Sequence, residues 1–308
     1  KAAYYFATSG FDVTYSGEIA KIFAQFNLGI DAAITSPNYS VNFFGFGNET
    51  TNPNAENDDL FNRDYNRVKL QTLSVAPSLI YKGMLEGEFK LGISYQTIEV
   101  EETNGRFIND FYNTNQIENR NNFIGAQASY HFENRDYEAY PTLGFETNLK
   151  MGYRTNLENS NDFGFIIPDV SIDYKLIPNG KLVLASKMKA HFILGDGYEF
   201  YQAASIGASD GLRGYRNQRF TGKNSFYQLT DVRYMFNKMK TGILPVNFGI
   251  YSGVDYGRVW LKNDPSKKWH NSYGGGLLLM AAEVFTGNIS LFHSDDGLRF
   301  AFALGLNF

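Results

Sequence analysis

The sequence contains no cysteine and no long apolar run, and these two absences exclude several classes of protein. Without cysteine among 308 residues, the chain can form no disulfide scaffold, thiolate metal site or cysteine nucleophile. No stretch of about 20 apolar residues occurs, so the sequence predicts no membrane-spanning helix. A net charge of -4 gives no reason to expect nucleic-acid binding. The length is enough for one large domain or two modest ones.

Aromatic residues are abundant, and they favour β-structure. They make up 16% of the chain, nearly all of them Tyr and Phe, whereas the hydrophobic total is an ordinary 43%. Such residues fit the half-buried surface of a strand. The mean hydropathy of -0.32 is low for a membrane protein. A barrel strand, however, crosses a membrane with about 9 to 11 residues of which every second one is apolar, so its average hydropathy stays near neutral.

The end of the chain alternates between apolar and small or polar residues with a period of two. Its apolar row consists of Leu298, Phe300, Phe302, Leu304, Leu306 and Phe308. The same alternation recurs along the chain in segments of roughly 10 to 16 residues, whereas strands of soluble proteins have about 5 to 6. A soluble β-sandwich would share the polar face but not the strand length. The sequence therefore predicts an all-β fold, an antiparallel transmembrane β-barrel.

Thirteen strands can be read in this chain, and long and short connections alternate between them. The predicted strands are 3–17, 19–34, 66–81, 84–101, 121–133, 141–155, 163–177, 181–195, 224–238, 245–260, 268–282, 286–294 and 297–308. Bacterial barrels have short periplasmic turns, so the C-terminus is predicted on the periplasmic side. An odd antiparallel sheet cannot close normally, so we expect a preceding strand and a complete barrel of 14 or 16 strands. Residues 1–308 are thus interpreted as one barrel domain that lacks at least one N-terminal strand and any periplasmic domain.

Two charged residues flanked by glycines lie two predicted strands apart. Arg213 belongs to the segment GLRGY in the long loop 196–223, and Asp255 belongs to the segment GVDYG on a later strand. Such residues can form a bidentate ion pair where two backbones approach closely. By strand alternation, Asp231 and Arg233 are expected on the same lumen face as Asp255. The simplest interpretation of this latch is a salt bridge that stabilises the lumen.

The latch and the strand pattern together resemble the barrel domain of the BamA/TamA superfamily, the bacterial surface antigen family. In that family an Arg-Gly-aromatic motif, at the tip of a loop that folds into the barrel, pairs with the aspartate of an Asp-x-Gly motif. The matching residues here are Arg213, Gly214, Tyr215, Asp255 and Gly257.

Two further segments carry weaker resemblances. The terminal apolar row is similar to the C-terminal signal by which outer-membrane barrels are recognised for insertion, and its residues would be Phe300, Phe302, Leu304, Leu306 and Phe308. The segment NFFGFGNET at 42–50 resembles the Bacteroidetes branch of the superfamily, in which a phosphoesterase domain often precedes the barrel.

The resemblance implies insertion or translocation of proteins at the outer membrane of a Gram-negative bacterium. The implied partners are outer-membrane lipid and lipopolysaccharide, substrate proteins, subunits of an assembly complex, and the missing N-terminal strand or domain. Two alternatives stay open: a membrane anchor for a periplasmic hydrolase (phosphoesterase or patatin-like lipase) or lipid-handling domain, and a passive porin-like channel. No enzyme site and no cofactor are expected, because the four histidines lie on separate segments without metal-binding spacing.

Overall fold

The computed structural model describes residues 1–304 apart from 7, 24, 54–63, 84–86, 113–116, 118, 241, 243 and 283–284. Within this part the chain is almost entirely β-structure, with one short helix, α1 (Phe107–Phe111). The strands are β1 (Ala2–Tyr5), β2 (Gly10–Phe23), β3 (Phe26–Thr35), β4 (Ser40–Asn42), β5 (Arg67–Lys82), β6 (Glu88–Val100), β7 (Arg120–Glu133), β8 (Gly144–Asn156), β9 (Asp162–Lys175), β10 (Leu182–Leu194), β11 (Ala204–Ile206), β12 (Phe220–Gly222), β13 (Asn224–Met235), β14 (Met239–Lys240), β15 (Pro245–Trp260), β16 (His270–Ala281), β17 (Phe285–Ser294) and β18 (Gly297–Leu304).

One large antiparallel sheet contains sixteen of these strands. Fourteen of them follow one another in the order β1-β2-β3-β5-β6-β7-β8-β9-β10-β13-β15-β16-β17-β18, while β4 and β14 extend the pairing along β5 and β15. Strands β11 and β12 form a separate two-stranded ribbon. The long connections, such as 36–66 and 195–223, leave one end of the sheet, here named the loop end; the opposite end is named the turn end.

The eleven predicted strands from 66–81 onward correspond to observed strands, with boundaries that differ by a few residues. Residues 305–308 of the last predicted strand lie outside the described residues. The first two predicted strands, 3–17 and 19–34, are wrong: the structure has three strands there, β1, β2 and β3, and the boundary predicted at residue 18 lies inside β2. The path of the sheet therefore contains fourteen strands within the described residues instead of the thirteen predicted. The pairing of β2 with β3 shifts between Ile19 and Phe23, and Lys21 has a φ of 57°. This bulge resets the alternation, which the sequence pattern cannot distinguish from a turn.

The two faces of the sheet differ in chemistry. The outer face carries exposed aliphatic residues in its middle, such as Leu91, Ile93 and Val254, and aromatic residues toward both ends. The aromatic residues include Tyr95, Tyr153, Trp269 and Tyr273 toward the loop end, and Tyr81, Tyr174, Phe236 and Phe248 toward the turn end. An apolar band between two aromatic rows is the arrangement of a barrel wall in lipid. Among the described residues, no helix is both long and apolar enough to cross a membrane.

Strand β5 is continuous, although its sequence pattern suggests a change of phase near Thr72. Its pairing with β6 keeps one register from Leu70 to Lys82. The inward Val68 and Leu70 are apolar and only 1% and 5% exposed, because the loops cover them at the loop end. The inner face is therefore polar along most of its length and apolar beneath the loops, and this change produced the apparent shift of phase.

Candidate functional site

The loop 196–223, here named the latch loop, leaves β10 at the loop end and packs onto the inner face of the sheet. A 3-10 turn at Phe200–Gln202 and the ribbon of β11 and β12 give it regular structure. Its apolar side chains are buried with residues of β13 and β15 in one cluster, which consists of Ile206, Leu212, Tyr215, Phe220, Tyr227, Leu229 and Val259. Burial of this apolar surface fixes the loop tip against the wall.

At the loop tip, Arg213 contacts two carboxylates from neighbouring strands, Asp231 on β13 and Asp255 on β15. Its Nη1 and Nη2 donate to Asp231 at 3.0 and 2.7 Å, and its Nε and Nη2 donate to Asp255 Oδ1 at 3.0 and 2.5 Å. The backbone N–H of Arg213 also donates to Asp255 Oδ2 at 2.9 Å. Asp231 and Asp255 are 1% and 0% exposed. One guanidinium is therefore the shared counter-ion of two buried carboxylates.

Two further side chains complete the surroundings of this latch. Ser272 on β16 donates from Oγ to Asp255 Oδ2 at 2.7 Å, and the guanidinium carbon of Arg213 lies 4.2 Å from the ring centroid of Phe292 on β17. Burial alone would lower the pKa of Arg213, but the hydrogen bonds and charges of Asp231 and Asp255 outweigh it and raise that pKa. Four consecutive strands of the sheet order, β13, β15, β16 and β17, thus contribute side chains to the latch.

Gly214 and Gly257 lie where the backbone approaches its neighbours too closely for a side chain. A Cβ on Gly214 would lie 2.7 Å from Ser272 Cβ, and one on Gly257 would lie 2.8 Å from Phe226 O. Ser294 Oγ donates to Gly214 O at 2.8 Å. Gly214 is therefore explained by close approach of the loop to β16 and β17, and Gly257 by close approach of β15 to β13.

Tyr215, the aromatic residue of the loop motif, is a packing anchor. Its side chain is 1% exposed, and its ring meets Phe220 and His270 edge-on with centroids 5.3 and 5.9 Å apart. Phe220 and His270 are themselves stacked, with centroids 3.5 Å apart. His270 thus serves as a flat partner for aromatic rings, and no sequence signal had indicated this role.

The structure assigns Arg233 to a different ion pair from the one expected. The sequence pattern grouped it with the latch beside Asp231, but its Nη2 lies 2.6 Å from Asp173 Oδ1 on β9. Arg135 approaches the same carboxylate with its Nε at 3.2 Å. Arg233 and Asp173 are 1% and 4% exposed. A second buried ion-pair cluster therefore lies on the inner face, nearer the turn end than the latch.

Sequence reasoning missed a second arginine in the latch loop, Arg219, which is 4% exposed. Its Nε donates to Asp296 Oδ2 at 2.6 Å, and its Nη1 and Nη2 donate to Thr50 Oγ1 and Thr50 O, both at 2.8 Å. Asn52 donates from Nδ2 to the same Asp296 oxygen at 2.8 Å. Arg219 therefore joins the latch loop to a segment near the start of the chain and to the hairpin turn between β17 and β18.

Residues 42–52, here named the cover segment, cross over the latch loop. Asn42 donates from its backbone N–H to Gln218 Oε1 at 3.0 Å. Asn48, which is 1% exposed, bonds to both backbone groups of Val259 on β15, at 2.7 Å through its Nδ2 and at 3.0 Å through its Oδ1. The amide of Asn48 thus continues the hydrogen bonding of β15 in the way a paired strand would.

Beside the cover segment, side chains from three loops and three strands form an apolar cluster at the loop end. Its buried members are Phe43, Val68, Leu70, Ile98, Val100, Ile108, Phe123 and Phe200. Phe43 and Phe200 come from the cover segment and the latch loop, and their ring centroids are 4.6 Å apart. The loop end above β5, β6 and β7 is therefore closed by packed apolar side chains.

A cavity of about 490 Å³ remains between the latch loop and the inner face of β10, β13, β17 and β18. Lys187 and Lys189 line it and pair with Asp169 at 3.4 Å and Asp210 at 2.9 Å. Arg299 enters it from β18. In the described ranges, no group of three or more His, Cys, Asp or Glu residues could hold a metal ion. The cavity is a charged, water-accessible space that directly adjoins the latch.

The predicted C-terminal insertion signal lies only partly within the described residues. Phe300, Phe302 and Leu304 are 67%, 64% and 80% exposed on the outer face of β18, whereas Leu306 and Phe308 lie outside the described residues. Their role in insertion stays a prediction.

Two solved structures resemble the whole of this chain. BamA from Haemophilus ducreyi, in a crystal structure lacking POTRA domains 1–3, superposes with a TM-score of 0.67 at 15% identity. The match covers 96% of this chain and 62% of that one. CdiB from Escherichia coli superposes with a TM-score of 0.52 at 11% identity over 98% of this chain and 57% of that one. The chain thus spans about three fifths of the length of the proteins it resembles.

No protein-family model and no curated protein matches the sequence. At such low identity the structural likeness shows the fold alone. It confirms the predicted fold class and, at the level of fold, the resemblance to the BamA/TamA superfamily. The chain has the antiparallel β-barrel fold of BamA and CdiB, with a loop clamped onto the inner wall through Arg213.

Proposed function

We propose that this barrel takes part in the insertion or translocation of proteins at the outer membrane of a Gram-negative bacterium. The observation that carries the proposal is the buried contact of Arg213 with Asp231 and Asp255, in a barrel with the fold of BamA and CdiB. The latch loop is held to the wall at β13 and β15 by this charged cluster together with the apolar cluster around Tyr215. Substrate proteins and assembly subunits are the partners that this function requires.

The proposal includes an orientation, with the loop end at the cell surface and the C-terminus on the periplasmic side. Short connections at the turn end support it, because bacterial barrels have short periplasmic turns and longer surface loops. Aromatic rows on the outer face toward both ends support a span of the bilayer between them.

The loop-end cluster argues against a passive porin-like channel. Phe43 and Phe200 are 1% and 5% exposed and bury one another where a diffusing solute would enter. Arg219 and Asp296 hold the cover segment and the latch loop together beside them. A route for protein substrate would therefore lead along or through the wall rather than straight through this end of the lumen.

The proposal is tested with the full-length protein reconstituted into liposomes. We expect it to accelerate the appearance of a protease-resistant, folded outer-membrane substrate added in urea, and we expect Arg213→Ala to lower that rate. Lys240→Ala, which alters an exposed side chain at the turn end, is the matched control. Absence of acceleration contradicts the proposal. If acceleration is absent, steady ion conductance would identify a channel. If conductance is absent as well, the membrane anchor is the remaining alternative.

A further inference from the structure

The outer face of the barrel carries one cluster of aromatic and cationic side chains at the loop end. Phe226 on β13 lies in register with Arg258 on β15, and Trp269 precedes β16 on the other side. Trp260 is two positions beyond Arg258, and its ring centroid lies 6.0 Å from that of Trp269. Trp269 is 42% exposed. Residues 1–308 contain two tryptophans, and both belong to this cluster.

Arg258 lies between the two indole rings. Its guanidinium carbon is 4.8 Å from the Trp260 centroid and 5.6 Å from the Trp269 centroid. Its Nη2 donates to Ser266 O at 2.7 Å, and its Nε has no hydrogen-bond partner. In the part of the chain that the structure describes, no carboxylate forms an ion pair with Arg258. The guanidinium is thus oriented by the rings and one carbonyl. Its Nε is buried, and its Nη1, which forms no hydrogen bond within the described residues, is the group left for an external acceptor.

The neighbouring connection between β15 and β16 adds further positive charge. Lys267 and Lys268 are exposed and form no ion pair within the described residues, and Lys262 lies 3.7 Å from the exposed Asp196. The nearby carboxylates of Asp264 and Glu49 accept hydrogen bonds from Ser266, at 2.8 and 2.7 Å. Four cations, Arg258, Lys262, Lys267 and Lys268, thus lie near three carboxylates, Asp196, Asp264 and Glu49, so the net charge around the rings is positive.

A cation on the lipid-facing side of a barrel is unfavourable in hydrocarbon and tolerated near the interface, where tryptophan is also enriched. Headgroup phosphates at that level supply the anion that Arg258 lacks, and basic pockets in membrane proteins bind lipid headgroups in this way. We propose that Arg258, Trp260, Trp269 and Lys268 form a binding site for the phosphorylated sugar headgroup of an outer-leaflet glycolipid.

Each part of the site fits one part of such a lipid. The guanidinium fork and the lysines bind phosphate, because charge-assisted hydrogen bonds to phosphate are strong and directional. The indole rings present flat apolar faces to the sugar and to the first methylene groups of the acyl chains. The inference rests on the proposed function only for the orientation, which decides the leaflet that the site faces. In nanodiscs both leaflets contain the same lipids, so binding there tests the site independently of the proposed function.

Because both tryptophans lie in the cluster, their fluorescence reports this site alone. The barrel of residues 1–308 would be placed in phosphatidylcholine nanodiscs with increasing amounts of bisphosphorylated lipid A. We expect a saturable change in tryptophan emission, and an apparent affinity about tenfold lower for Arg258→Gln, as one charge-assisted phosphate contact predicts. Lys240→Gln at the turn end is the matched control and should titrate like the wild type. Heat-modifiable gel mobility verifies that each variant is folded.

Three results would overturn the inference. An equal response to dephosphorylated lipid A would mean that the rings sense acyl chains only. Saturation by inorganic phosphate without lipid would mean a site for soluble anions. A titration of Arg258→Gln identical to that of the wild type would also contradict it, because the guanidinium is the group that faces the headgroup.

Discussion

Replacing Arg213 with alanine is expected to lower the free energy of unfolding of the barrel by about 3 to 5 kcal/mol. Asp231 and Asp255 are 1% and 0% exposed, so the change leaves two buried carboxylates without their shared counter-ion. Loss of the contact with Phe292 adds roughly 0.5 to 2 kcal/mol. Water in the adjoining cavity of about 490 Å³ reduces the charge term, which favours the lower part of the range. Arg213→Lys keeps the charge but loses the planar fork, so its effect should be intermediate.

The loss of folded gel mobility with temperature measures this change, and limited proteolysis of residues 196–223 reports on the loop. Arg213→Ala should unfold at a lower temperature and be cut in the loop, whereas Lys240→Ala should not differ from the wild type. Arg213→Leu combined with Asp231→Asn and Asp255→Asn removes all three charges and should recover much of the lost stability, because the cost lies in the unpaired carboxylates. The reasoning is refuted if Arg213→Ala unfolds at the wild-type temperature, or if the triple variant is less stable than Arg213→Ala.

Three further changes test other parts of the structure by urea unfolding and proteolysis. Gly253→Ala should cost about 1 to 3 kcal/mol, because its Cβ would lie 2.0 Å from a latch carboxylate oxygen, whereas Gly287→Ala, with nothing closer than 3.6 Å, should be neutral. Arg219→Ala should expose the cover segment to protease while the strands stay folded, since it removes the bonds to Thr50. At Asp136, burial raises the pKa, but hydrogen bonds, first from Thr142, outweigh it and lower the pKa to about 2. Because Asp136 is exposed, solvent screening reduces the gain, and Asp136→Asn should be less stable than the wild type by about 1 kcal/mol above pH 4, a difference that disappears as the pH falls toward 2.

The strands could be predicted because the two faces of a membrane barrel are chemically opposite, and alternation reveals this at every second residue. The strand prediction failed where the alternation of apolar and polar residues is interrupted. At Lys21 a bulge restarts the alternation, and at Val68 and Leu70 the inner face is apolar because loops cover it. A single sequence contains no sign of which loop lies over which strand end.

The same limit applies to the site. Arg213 and Asp255 could be paired in advance because glycines beside both indicate close approach. Arg219 has no glycine beside it, and its partner Asp296, although it precedes Gly297, is 77 residues away. The partner of Arg233 could not be predicted either, because alternation identifies the face of the sheet on which a residue lies but not the register between distant strands. Ala185 of β10 is in register with Asp173 on β9 and with Asp231 on β13. This alignment brings Arg233, two residues beyond Asp231, within reach of Asp173.

The cover segment has a consequence for the order in which the barrel is assembled. Its bonds join residues that are far apart along the chain: 244 residues separate Asn52 from Asp296, and 211 separate Asn48 from Val259. Contacts between such distant residues form late, because the entropy cost of closing a long loop must be met before the contacts stabilise the fold. The cover segment therefore reaches its final position only after the hairpin of β17 and β18 has formed. Closure of the loop end is thus a sign of completion, and a barrel still lacking its final strands would remain open at that end.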